Sequence, residues 1–84
     1  MWPFKRKRLA KADHLAYIRH LAERTAFEIR LYRVRTSQAD NLDARASKEV
    51  RKAAKWGYGD EAAQAYRDGV DYIYENYKTK VIKD

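Results

Sequence analysis

The sequence predicts an all-α protein, a small three-helix bundle in which helices 2 and 3 form an antiparallel hairpin, and three observations lead there. From Leu9 to Trp56 there is no glycine or proline, and alanine, leucine, arginine and glutamate, all strong helix formers, dominate. Apolar residues recur at spacings of three and four in successive stretches, which is the repeat of one face of an α-helix. Residues Trp56 to Asp60, with Gly57 and Gly59, form a connection so short that the helices it joins must run antiparallel. The alternative architecture is a long two-helix hairpin, with residues 10–56 as one kinked helix.

Helix 1 is expected from about Leu9 to Arg35. Leu15, Ile18, Ala22, Ala26 and Ile29 make one stripe, with Leu21 and Tyr32 beside it, whereas Phe27, Leu31 and Val34 lie off it. Apolar residues on more than one face imply two neighbours, either two other helices or one helix and a second subunit. Thr36 to Asn41 has the weakest helix propensity before Trp56, and Ser37 followed by Asp40 resembles a capping box with the shorter acid, which favours a break there. Helix 2 then carries Ala39, Leu42, Ala46, Val50, Ala53 and Trp56 on one stripe and stops at Gly57, which tolerates the left-handed conformation of a helix end.

Helix 3 has the clearest start. Asp60 is placed to cap it, Glu61 sits at the positive end of the helix dipole, and Ala62 and Ala63 carry the first turn. Ala63, Tyr66, Val70, Ile73 and Tyr77 share a tyrosine-rich front; Glu61, Asp68, Asp71 and Glu75 form an acidic back. Lys78, Lys80 and Lys83 follow at the negative end. Gly57, Asp60-Glu61-Ala62, Tyr66 and Gly69-Val70 stand where a tetratricopeptide repeat places its turn glycine, small packing residue, aromatic and second small residue. Residues 46–74 therefore resemble one copy of that repeat, departing from it at Glu49 and Val50, and the resemblance implies a helical hairpin.

A chain of 84 residues supports one domain, with residues 1–8 as a basic, aromatic tail. Folding at this size removes only about 60 to 65% of the unfolded surface from water. Cysteine is absent, so neither a disulfide nor a thiolate-metal site can supplement the core. No apolar run approaches the roughly 20 residues of a membrane span, and the basic N-terminus lacks the apolar region of a signal peptide. The expected location is the cytoplasm or a particle assembled there.

The net charge of +7 is unevenly spread: residues 1–8 carry +4, residues 45–58 carry +4, and residues 59–84 carry −2. Anionic partners follow, with nucleic acid, an acidic protein and a membrane surface as the classes. Trp2 and Phe4 beside Lys5, Arg6, Lys7 and Arg8 suit a solvated tail, a docking peptide or an interfacial anchor.

Enzyme chemistry is not expected. His14 and His20, six residues apart, point about 120° away from each other on a helix and cannot chelate one ion. Asp68, Asp71 and Glu75 have the spacing of a solvated face, Ser37 and Ser47 have no nucleophile motif around them, and there is no glycine-rich phosphate loop. No cofactor, metal or small-molecule substrate is implied.

Two features point to partners. Arg45, Lys48, Arg51, Lys52 and Lys55 share one broad face of helix 2, with Glu49 the only acid between residues 45 and 58. Such a row fits the phosphates of a nucleic-acid backbone; a base-reading helix more often offers Asn, Gln or Ser among its arginines, so a backbone-directed contact is expected. Tyr72 projects toward the acidic side of helix 3, where a large aromatic suggests a protein contact. The expectation is a non-enzymatic basic binding protein acting on nucleic acid within a larger assembly, through the helix 2 cations and Lys5, Arg6, Lys7 and Arg8. Homo-oligomers would bury Phe27, Leu31 and Val34. The alternatives are a protein-protein adaptor or inhibitor of the kind phages and mobile elements carry, using the tyrosine-rich helix, and peripheral membrane attachment through Trp2 and Phe4.

Overall fold

A computed structural model describes residues 9–32 and 36–77, and within them the chain forms three helices: α1 (Lys11–Tyr32), α2 (Ser37–Lys55) and α3 (Gly59–Tyr77). The break between helices 1 and 2 is present. Its cap, however, is Thr36 and not Ser37. The Thr36 backbone is extended (φ −82°, ψ 166°), its hydroxyl oxygen accepts from the Ala39 amide at 3.1 Å, and the same hydroxyl donates to Glu28 of α1 at 3.1 Å. A threonine in that place satisfies one orphan amide of α2 and ties the new helix to the one before it. Ser37 is the first helical residue and is exposed.

The α2–α3 connection closes as a Schellman motif. Tyr58 donates its amide to the Ala53 carbonyl at 2.9 Å, Gly57 donates to Ala54 at 3.2 Å, and Gly57 sits at φ +96°, where a side chain would be strained. The turn is therefore as short as the glycines imply. Asp60 does not cap α3: the helix begins at Gly59, two residues earlier than a cap at Asp60 implies, Tyr58 holds the cap position with its carbonyl accepting from Ala62 at 3.0 Å, and Asp60 lies in the first turn. It still faces the positive end of the dipole there.

Chain direction alternates. Contacts between His14 and Glu49 and between Glu28 and Thr36 run α2 antiparallel to α1, and the Tyr66–Asp43 contact runs α3 antiparallel to α2. It follows that α1 and α3 are parallel. Lys11 meets Glu61, Arg19 meets Tyr72, and Gly69 lies against Arg19 and Ala22. The parallel pair is packed more extensively than the hairpin pair, and α1 touches both other helices, but through its main stripe: Phe27 and Leu31, which in sequence suggest a second buried face, are exposed.

The core is built mainly from small residues. Ile18, Ala53, Tyr58 and Ala62 form its centre, with Leu15, Val50, Trp56, Ala65 and Tyr66 packed around them. Ala39, Ala46 and Ala53, at intervals of seven, are fully buried, so along this line α2 presents only small side chains to its neighbours. On α3 the buried line is Ala62, Gly69 and Ile73; Ala63, Tyr66 and Val70, expected at the centre of the apolar face, are half-buried at its margin. The seam is rotated because Gly69 permits contact on a side that a count of apolar residues scores as empty. Trp2, Phe4, Lys5, Arg6, Lys7, Arg8, Val34, the side chain of Tyr77, and Lys78, Lys80 and Lys83 lie outside the described residues.

Candidate functional site

The outer surface of α2 is the most strongly charged feature the fold positions. At about 100° per residue, Arg45, Lys48, Arg51, Lys52 and Lys55 occupy an arc of about 120° centred opposite the buried alanines. All five are exposed. Packing of Ala39, Ala46 and Ala53 against the bundle therefore fixes the direction in which the cations project.

Lys11, Arg19 and Arg30 of α1 are engaged within the fold. Lys11 bridges to Glu61 at 2.7 Å, Arg19 bonds Glu23 at 3.0 Å and lies over the Tyr72 ring at 5.6 Å, and Arg30 lies over Tyr74 at 4.9 Å. On α2, Lys52 stands 3.6 Å from Glu49. Arg45, Lys48, Arg51 and Lys55 have no ion-pair partner among the described residues.

Glu49, the acid that in sequence interrupts the row, is turned into the bundle. Its Oε1 lies 2.8 Å from Nε2 of His14, a ring only 1% exposed, and Nδ1 of the same ring lies 2.8 Å from the Tyr58 hydroxyl. A carboxylate only accepts, so Nε2 carries a hydrogen; in the neutral ring Nδ1 then accepts from Tyr58. Trp56 packs against the imidazole with centroids 5.4 Å apart, and Tyr58 meets it edge-on at 5.7 Å. One residue from each of α1, α2 and the α2–α3 connection is thus joined at a single buried point. The sequence held a signal for it: His14 continues the line of Ile18, Leu21 and Thr25, and Glu49 lies beside Ala46 and Ala53, so both polar side chains stand on apolar stripes.

Tyr72 is 44% exposed on α3, and the Arg19 guanidinium gives its outward position an account internal to the chain. Phe27 and Leu31 are 40% and 43% exposed on the side of α1 away from its buried seam, beside a shallow depression lined by His20, Glu23, Arg24, Phe27 and Ile73. The α2 cations and the Phe27–Leu31 patch are separate surfaces. Among the described residues no group of three or more His, Asp or Glu side chains is arranged to hold a metal, and no helix is long and apolar enough to cross a membrane.

Comparison with protein-family models, with curated proteins and with solved structures gave no significant match, so the likeness of residues 46–74 to a tetratricopeptide repeat gains no support from them and the functional reading rests on the residues themselves.

Proposed function

We propose that this chain is a non-enzymatic binding protein that seats the outer face of α2 on a nucleic-acid backbone, as one component of a larger assembly. The observation that carries the reading is the set of Arg45, Lys48, Arg51 and Lys55, exposed and without ion-pair partners among the described residues while the chain directs Glu49 inward. Surface cations held unpaired over about 15 Å of helix retain the charge that phosphates attract. Neutralised phosphates release counterions, so binding to duplex through five cations should weaken with a log-log salt slope of about −4.5.

The test is the slope itself, measured by fluorescence anisotropy on a labelled duplex between 50 and 200 mM salt, a range of roughly the width over which such binding collapses. Replacing Arg45, Lys48 and Lys55 with glutamine is expected to bring the slope to about −2 and to leave helicity unchanged, because glutamine keeps helix propensity and none of the three packs in the core. A slope equal to that of the parent chain would remove α2 from the binding surface.

A second reading is favoured by Phe27 and Leu31, whose exposure beside an apolar depression suits a protein surface, either a second copy of the chain or another member of the assembly. It is compatible with the first because the two surfaces lie on different helices.

A further inference from the structure

Between α2 and α3 runs a groove of about 420 Å³ lined by Asp43, Ser47, Val50, Arg51, Ala63, Tyr66 and Arg67. Its inner wall is half-buried and largely apolar, made by Val50, Ala63 and the Tyr66 ring. Its rim carries two exposed guanidiniums, Arg51 from α2 and Arg67 from α3. The Tyr66 hydroxyl donates to Asp43, which fixes the ring and leaves a carboxylate on the inner wall. An anion is attracted to the two guanidiniums of the rim, and a flat, uncharged ring fits the apolar surface below.

We propose that this groove receives one unstacked base of a single-stranded nucleic acid, with the adjoining phosphate held between Arg51 and Arg67. The inference deepens the reading of α2 as a backbone-binding surface and rests on it. Arg51 belongs both to the α2 row and to the groove rim, so a strand lying along Lys48 and Lys55 is brought to the groove mouth at Arg51. That continuity favours a strand over a free nucleotide. Asp60, Asp71 and Glu75 lie beyond Arg67 on the other side and keep the strand on α2. In a duplex the bases are paired and stacked, and none can enter a side groove without being flipped out. A cation row alone favours duplex, which carries the denser charge; a groove that contacts a base reverses the order, because base-aromatic contact adds affinity that duplex cannot gain.

The experiment compares a labelled oligothymidylate with a duplex of equal length, in the full chain and in the variants Ala63→Leu, which fills the groove, and Arg67→Gln, which removes one rim cation. The oligothymidylate should bind about tenfold more tightly than the duplex, and each variant should weaken it about tenfold while changing duplex affinity less than about twofold. Thermal midpoints of both variants are recorded, and Arg67→Gln, at an exposed position, keeps the comparison valid if the leucine disturbs packing. Equal affinity for single strand and duplex, or a single-strand preference that survives in both folded variants, would overturn the groove proposal while leaving the α2 reading in place. Salt-dependent binding to neither probe would overturn both. Displacement of the oligothymidylate by an equal concentration of thymidine monophosphate would reassign the groove to a free nucleotide and overturn the strand.

Discussion

Replacing His14 with alanine is expected to destabilise the bundle by about 3 to 4 kcal/mol, the sum of a cavity and two stranded polar groups. The ring is buried and joins Glu49 and Tyr58 at 2.8 Å on either side. Its removal leaves the Tyr58 hydroxyl without this partner in the core and the Glu49 carboxylate in a mostly buried place, with Lys52 3.6 Å away. Trp56 loses one of the rings it packs against. In a core otherwise composed largely of alanines, this is a large share of total stability, since small domains hold about 5 to 15 kcal/mol in all. Chemical denaturation followed by circular dichroism measures the loss. Glu49→Gln provides the graded control: an amide oxygen still accepts from Nε2, so the loss should be only about 1 kcal/mol. Equal losses in the two variants would mean that charge, and not the hydrogen-bonded ring, holds the three helices together at this point.

Replacing Gly69 with valine is expected to cost about 2 to 3 kcal/mol, lowering the melting midpoint by about 10 to 20 °C. A β-carbon at this position would stand 2.6 Å from the Arg19 carbonyl oxygen and 2.9 Å from the Ala22 β-carbon. One of these obstacles is the backbone of α1, which cannot rotate away as a side chain can, so the parallel helices must move apart. Gly69→Ala separates the two effects at work. Alanine contributes about 1 kcal/mol of helix propensity and meets the same obstacle, so its net loss should be smaller than that of valine but still a loss. A stabilised Gly69→Ala protein would show that α1 and α3 do not approach this closely. Gly69, which the resemblance to a tetratricopeptide repeat places as its second small residue, lets the backbones of α1 and α3 approach closely.

The two residues also mark how far the sequence could be read. Helix class, the number of helices, the turn at Gly57 and the buried line of α2 follow from local propensity and period, which act within a few residues. The outward face of α2 follows too, because once Ala46 and Ala53 point inward, Lys48 and Lys55 must point outward. The union of His14 with Glu49 and Tyr58 spans 35 and 44 residues of sequence, and no local rule assigns it. The same holds for the parallel packing of α1 on α3, the rotated seam of α3, and the groove in which Arg51 and Arg67 come together. The spacing of Ser37 and Asp40 points to Ser37 as the cap, whereas the cap is Thr36, whose hydroxyl also reaches Glu28. Partner surfaces are harder still, since Tyr72 has the exposure of an interface residue and yet lies against Arg19 of its own chain.

The central claim is that the outer face of α2 meets a nucleic-acid backbone, and backbone amide chemical shifts of the full, isotope-labelled chain titrated with a mixed-sequence duplex test it most directly. The account predicts that the largest shift changes fall on α2 between residues 44 and 55, strongest at Arg45, Lys48, Arg51 and Lys55, and that they fade together as salt is raised. The amides of Asp60, Asp68, Asp71 and Glu75 on the acidic face should stay in place. Shift changes centred on those acidic residues or on Phe27 and Leu31, or no change at low salt, would contradict it.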